Sequence, residues 1–236
     1  MHLDVVLNPA EIALLSGRDL SNTTCVVFDV LRATSSMVTA LAHGAQEIHP
    51  VRTIEDALAL REKFPTAVLG GERQGNPIPG FDVGNSPREY LELGDRPIIT
   101  TTTNGTIALR ACEHAARVLV AAVINMEALI EELRRSAPEN LLLVCAGTFA
   151  NFSLEDAYAA GLVVEAFGEA TLTDAAQAVL AIAGRFATPL EALTTADNGR
   201  ALKAAGRQAD VEFCAERSRF NIVGLMQAAV VRPLPK

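Results

Sequence analysis

The feature that most restricts this chain is its rhythm. Up to Gly147, strand-length apolar runs, several of them β-branched, alternate with helix-length stretches. The runs Leu3–Leu7, Cys25–Val30, Glu47–Val51, Ala67–Leu69, Ile98–Thr101, Val118–Val123 and Leu141–Cys145 read as strands. Between them, Ser35–His43 reads as a helix closed by Gly44. Ile54–Lys63 opens on the capping pair Thr53 and Asp56 and stops before Pro65. Thr106–Ala115 and Met126–Arg135 complete the set, the second with its arginines late, as the helix dipole prefers. Repeated strand–helix alternation predicts an α/β fold with a mainly parallel sheet and helices on both faces.

After Gly147 the texture changes. Ser153–Phe167, Asp174–Phe186, Pro189–Leu193 and Asp197–Ala205 read as alanine-rich helices, with short strands expected at Val211–Phe213 and Ala229–Val231. The expected organisation is a sheet core over 1–147 and a helix-rich part over 148–236. The second part is either a subdomain or a helical layer on the same sheet.

Composition narrows the partners. Lys+Arg 20 against Asp+Glu 28 leaves a formal net charge of −8, which disfavours nonspecific binding to nucleic acid or to an anionic membrane surface. With hydrophobic residues at 50%, disorder is excluded for most of the chain. No apolar run approaches the ~18 residues of a membrane span. The N-terminal MHLDVVLNPAE carries Asp4 and no basic stretch, so it does not read as a secretory signal. Cys25, Cys112, Cys145 and Cys214 are widely spaced and the histidines lack metal-ligand spacing, so a zinc site is not expected. The expected location is cytoplasmic, and self-association into a homo-oligomer is compatible with the sequence.

In a parallel sheet all strand carboxyl ends lie along one edge, and ligands bind there. Four expected strand ends carry dense chemistry: Asp29 to Ser36 (DVLRATSS), Gly70 to Gly75 (GGERQG), Thr102 to Thr106 (TTNGT) and Ala146 to Asp156 (AGTFANFSLED). A carboxylate such as Asp29, at the end of an apolar strand, is costly unless it meets a cation or several donors. It reads as a Mg²⁺ ligand or nucleophile, or else as a cap on the following helix. Arg32, Thr34 and Ser35 suit an anion at a helix start, or ordinary capping. Glu72 and Arg73 read as a metal ligand and an anion clamp, or as a surface ion pair. The glycine-rich loop around them lacks the Lys-Ser/Thr of a Walker loop. Asp82, Asn85 and Ser86 lie in a turn-rich segment that could face the same edge. Thr102, Thr103, Asn104, Gly105 and Thr106 suit a phosphate or carboxylate. Ser153 and Asp156 form a capping-box pattern, whereas Glu155 is not needed for that cap. Cys145 is expected to be a packed thiol.

The motifs DVLRATS, GGERQG, GFDVGNSP, TTTNGT, CAG and SLEDAYAAG, in this order, resemble the 2-phosphosulfolactate phosphatases, over about Asp4 to Ala176. The resemblance implies a three-layer α/β sandwich and a Mg²⁺-dependent phosphomonoester hydrolase. In that family phosphate is released from 2-phospho-3-sulfolactate to give 3-sulfolactate, a step toward coenzyme M. The expected partner is therefore a small anionic phosphorylated substrate. On chemical grounds, Asp29, Arg32, Glu72 and Arg73 are the candidate catalytic residues. Asp29, Glu155 and Asp156 are the candidate metal ligands. Thr34, Ser35, Asn85, Ser86 and Thr102 to Thr106 are the candidate substrate contacts.

Three alternatives remain at this level. One is a phosphatase of another small phosphorylated hydroxy acid. Another is a haloacid-dehalogenase-like enzyme with Asp29 as nucleophile, which Leu31 disfavours because that class resembles D-x-D at this point. The third is a non-catalytic anion-binding protein, which would not need so many acids at the strand ends.

Overall fold

The computed structural model describes residues 1–235. Its strands are β1 (His2–Val6), β2 (Thr23–Phe28), β3 (Ile48–Pro50), β4 (Val68–Arg73), β5 (Asn76–Pro77), β6 (Ile98–Thr101), β7 (Arg117–Ala121), β8 (Asn140–Cys145), β9 (Thr171–Leu172), β10 (Gly224–Gln227) and β11 (Val230–Pro233). Its helices are α1 (Pro9–Ala13), α2 (Ala33–Ala42), α3 (Ile54–Lys63), α4 (Gly105–Ala111), α5 (Met126–Ser136), α6 (Leu154–Ala166), α7 (Asp174–Arg185), α8 (Pro189–Thr195), α9 (Asp197–Ala204) and α10 (Gln208–Cys214). Among the described residues no helix is long and apolar enough to cross a membrane.

All strands join one sheet in the order β5-β4-β6-β3-β11-β10-β7-β2-β8-β1-β9. Two blocks are parallel: β4, β6 and β3 on one side, and β7, β2, β8, β1 and β9 on the other. The β10–β11 hairpin bridges them with antiparallel pairings. Strands from 148–236 thus lie in the same sheet as those from 1–147.

Alternate residues of the central strands feed two cores, as the strand pleat requires. Val26, Phe28, Leu141 and Leu143 face α5, α6 and α7, while Cys25, Val27, Leu142 and Val144 face α1, α2 and α4. Burial on both faces explains why these strands are continuously apolar. The result is the expected helix–sheet–helix sandwich with a mostly parallel sheet.

One expected strand is corrected and one is found. Val211–Phe213 is not a strand but part of α10, where Asp210, Val211, Phe213 and Cys214 are buried. That set follows helical spacing as readily as Val211 and Phe213 alone follow strand alternation. The expected strand near Ala229–Val231 is β11, and its partner β10 carries no strong sequence signal.

Alanine richness after Gly147 has a packing cause. Helix α6 crosses α7 so closely that a Cβ on Gly161 would lie 2.1 Å from the Val179 carbonyl oxygen and 2.7 Å from the Ala183 Cβ. Gly161→Ala should therefore destabilise the fold by about 1–3 kcal/mol through overpacking. Gly184 in α7 is exposed with open space around it. Gly184→Ala should stabilise by about 0.5–1 kcal/mol. Urea denaturation of both variants checks the pair, and equal signs would contradict the close crossing.

Candidate active site

A cavity of about 730 Å³ opens where the strand ends converge. It is lined by Asp29, Leu31 and Arg32 after β2, and by Glu72 to Asn76 at the β4–β5 turn except Arg73. Thr103 and Asn104 after β6 and the 147–155 segment after β8 complete the strand-end wall, and residues of 195–207 close the opposite side. All four chemically dense strand ends thus meet in one place. In a flat sheet, β6 and β2 would stand about 24 Å apart, five strand spacings. Yet a Cβ on Gly105 would lie 2.6 Å from the Asp29 carboxylate. The loops after β6 and β2 are too short to cover that distance at about 3.5 Å per residue. The sheet therefore curls and brings its two parallel blocks together over the cavity.

Asp29 is both a cap and a cavity group. Its Oδ1 accepts from the Ala33 amide (3.0 Å), and its carbonyl accepts from the Thr34 amide (2.9 Å). Burial pushes its pKa up to about 6, with the Glu72 charge adding to the rise. Glu155, in the first turn of α6, is pushed up to about 7, mainly by burial and further by Asp29. Asn198 donates to both the Leu31 carbonyl and Glu155 Oε1.

Asp156 behaves differently. Its Oδ1 accepts from the Val30 amide (2.8 Å) and its Oδ2 from the Gly147 amide (3.1 Å). Burial, and then the Glu155 and Asp29 charges, hold its carboxyl well above the ordinary value. It does not line the cavity, and the expected Ser153 cap is absent: the Ser153 hydroxyl pairs with Thr148 Oγ1 (2.6 Å). Asp156 is thus a staple between two loops rather than a third cavity ligand. Among the described residues no cluster of three or more His, Cys, Asp or Glu side chains is arranged to hold a metal.

Arg32 forms a buried ion pair with Asp210, Nη1 to Oδ2 at 2.6 Å, across 178 residues of chain. Asp210 Oδ1 accepts from Ser86 (2.6 Å). Among the described residues the other guanidinium nitrogens of Arg32 have no partner within the protein, and the residue lines the cavity.

Several expected contacts lie elsewhere. The Arg73 guanidinium is occupied by the Glu72 carbonyl (2.8 Å), Thr101 Oγ1 (2.7 Å) and the Arg52 carbonyl (3.2 Å), outside the cavity lining. Glu72 does line the cavity, but its oxygens already accept from the Gly75 amide (2.6 Å), the Thr103 amide (2.6 Å) and the Thr103 hydroxyl (3.1 Å). It ties two loops together. Thr34 bonds to the Asp29 backbone and Ser35 to the Val30 carbonyl (2.7 Å), so both hydroxyls organise the start of α2. Thr102 and Thr106 cap each other's amides at 3.1 Å, and Ser86 is spent on Asp210. Gly105 makes room for Asp29. Asp82 accepts from the Leu69 amide and Arg61 at the periphery. Asn85 faces the cavity, and its carbonyl accepts from Ser36 (2.9 Å). Asn104 faces it too and bonds both to the Ala146 carbonyl and to the Phe149 backbone in each direction, fixing the 148–152 loop that lines the cavity. Cys145 is fully buried, with its thiol pushed up by burial and by the Asp156 and Glu155 charges, away from the cavity.

Sequence reasoning missed Asn198, Arg200, Arg207 and Asp210. The available signal was the polar cluster Asp197-Asn198-Gly199-Arg200 interrupting an alanine-rich stretch.

Buried acids and an anchored guanidinium around a strand-end cavity define an α/β enzyme that acts on a small polar ligand. The sequence comparisons agree. The model of the family described as 2-phosphosulpholactate phosphatase matches residues 11–229. A Deinococcus radiodurans protein named probable 2-phosphosulfolactate phosphatase is 41% identical over 204 residues, 84% of this chain and 85% of the relative. Proteins of the same name from Carboxydothermus hydrogenoformans and Thermotoga petrophila are 37% and 39% identical, over 94% of this chain and 92% and 93% of their own. The chain belongs to the 2-phosphosulpholactate phosphatase family.

Two outcomes follow from this geometry. Breaking a buried ion pair leaves one charge without a partner, so Asp210→Ala should cost about 3–5 kcal/mol in urea denaturation. In chelator-treated protein, Asp29 and Glu155 hold protons more tightly when folded than when unfolded, where the ordinary values are 3.8 and 4.5. Below those values both states are protonated and no cost arises. Stability contributed by these groups is lost as pH rises through about 6 and about 7. Asp29→Asn and Glu155→Gln should each flatten that fall in a melting-temperature series against pH.

Proposed function

We propose that this protein is a Mg²⁺-dependent phosphomonoester hydrolase that releases phosphate from 2-phospho-3-sulfolactate to give 3-sulfolactate, in the cytoplasm, on a route toward coenzyme M. The observation that carries the reading is the pairing of Asp29 and Glu155 in one cavity beside the anchored Arg32. The names of the relatives support the substrate, and the free, buried cysteines agree with the location.

The donor set fits Mg²⁺ through two carboxylates. This ion prefers oxygen ligands, retains waters and is commonly held by one or two acids together with substrate phosphate. Asp29 and Glu155 would hold it, since both are desolvated acids whose crowded charge a cation relieves. When bound, the ion would neutralise this wall and stabilise negative charge on the phosphoryl oxygens.

The protein groups supply orientation. Arg32 presents its unpaired guanidinium nitrogens to the phosphoryl oxygens. Because Asp210 already fixes the side chain, little reorganisation is needed at the moment of reaction. Asn198 fixes Glu155 and the Leu31 carbonyl in register with each other. Asn104 fixes the loop bearing Phe149, which lines the cavity.

Phosphate release from 2-phosphosulfolactate, measured with Mg²⁺ and with EDTA, tests the reading. Activity should require the metal and be nearly abolished in Asp29→Asn. Arg32→Lys keeps the charge but loses the planar fork, and should lower kcat by roughly one to two powers of ten. Full activity in EDTA, or in Asp29→Asn, would overturn the proposal.

A further inference from the structure

The charge inventory of the cavity is uneven. Its strand-end wall carries Asp29, Glu72 and Glu155, and its cations are Arg32, Arg200 and Arg207. Arg32 is already tied to Asp210. Arg200 is exposed and pairs with Asp197, three residues before it on the same helix, and with the Thr195 carbonyl. Arg207 differs from both: among the described residues it has no carboxylate partner. Its recorded bond is from Nη1 to the Gly75 carbonyl, across 132 residues of chain.

That bond joins two segments that both line the cavity. Gly75 belongs to the turn that Glu72 ties to Thr103, so its carbonyl is a fixed point. Arg207 sits immediately before α10, the helix that also carries Asp210. One short helix therefore delivers the anchor of Arg32 and, at its start, a second guanidinium that lines the same cavity. A neutral carbonyl leaves the guanidinium charge uncompensated, whereas an ionised acid supplies the opposite charge and two oxygens that match the planar fork. An anionic group entering the cavity would thus displace Gly75 from Arg207.

We propose that Arg207 is a specificity-determining clamp for a second ionised acid group on the substrate, the sulfonate or carboxylate lying away from the phosphate. The proposal rests on reading the cavity as the site of a phosphate-ester hydrolase. It assigns phosphate recognition to Arg32 and discrimination between phosphate esters to Arg207. A planar fork pairs two oxygens of a sulfonate or carboxylate at once, which lysine cannot do.

The test compares wild type, Arg207→Lys and Arg207→Ala on 2-phosphosulfolactate, 2-phospholactate and p-nitrophenyl phosphate, with melting curves to establish folding. The ratio of kcat/KM for 2-phosphosulfolactate to that for p-nitrophenyl phosphate should fall roughly ten- to hundredfold in both variants, mainly through KM. A parallel fall for 2-phospholactate would place the carboxylate on Arg207. A fall confined to 2-phosphosulfolactate would place the sulfonate there. An unchanged ratio in a wild type that hydrolyses 2-phosphosulfolactate overturns the clamp while leaving the proposed activity standing. Should the wild type hydrolyse none of these esters, the proposed activity fails, and calorimetric titration with 3-sulfolactate decides the clamp separately. Binding to wild type that weakens at least about tenfold in Arg207→Ala upholds it, and equal binding or none overturns it.

Discussion

The site depends on one buried carboxylate that never reaches the cavity. Asp156 gives one oxygen to the amide after β2 and the other to the amide after β8. Asp29 precedes the first of these amides and Glu155 adjoins Asp156 in α6, so the staple fixes the spacing of the two cavity acids. Three carboxylates this close would repel one another and resist burial. The fold offsets part of that cost with backbone donors, and by placing Glu155 and Asp156 in the first turn of α6, where the helix dipole favours negative charge. The remaining cost is stored as the raised proton affinities of Asp29 and Glu155, which makes the wall receptive to a cation.

The positive side of the cavity is built by another part of the chain. Asp210, Asn198 and Arg207 follow the last strand of the second parallel block, and each reaches back to a strand-end loop. The acids thus come from sheet geometry and the groups that orient or balance them from the helical segment. Neither half has a working charge balance alone. The curl of the sheet is the same requirement in backbone form, since a flat sheet would leave Asp29 and Gly105 far apart.

Much of this was legible in the sequence. The strand–helix alternation up to Gly147 implied a covered parallel sheet, and runs such as Cys25–Val30 and Leu141–Cys145 are apolar enough for burial on both faces. The common edge then gathered Asp29, Glu72, Asn104 and Glu155 correctly. Less legible was where individual side chains point, and the structure places several of the expected ones outside the cavity lining. Arg73 and Thr102 looked like ligand groups because polar residues at strand ends are also what tight loops need for their own amides. The capping pattern at Ser153 and Asp156 was a sound local rule, overridden by two amides more than local distance can reveal. Asp210 could not be matched to Arg32 from sequence, because nothing short of the folded chain brings residues 178 apart together.

The β10–β11 hairpin gives the topology a temporal cost. It occupies the middle of the sheet yet follows every other strand in chain order. As a ribosome delivers the chain, the two parallel blocks emerge first, with β3 and β7 each presenting an unpaired edge. Such edges are templates for pairing with other chains. The nascent protein must keep both open until the hairpin arrives, so its risk of misassembly is concentrated late in synthesis, when most of its core is already present.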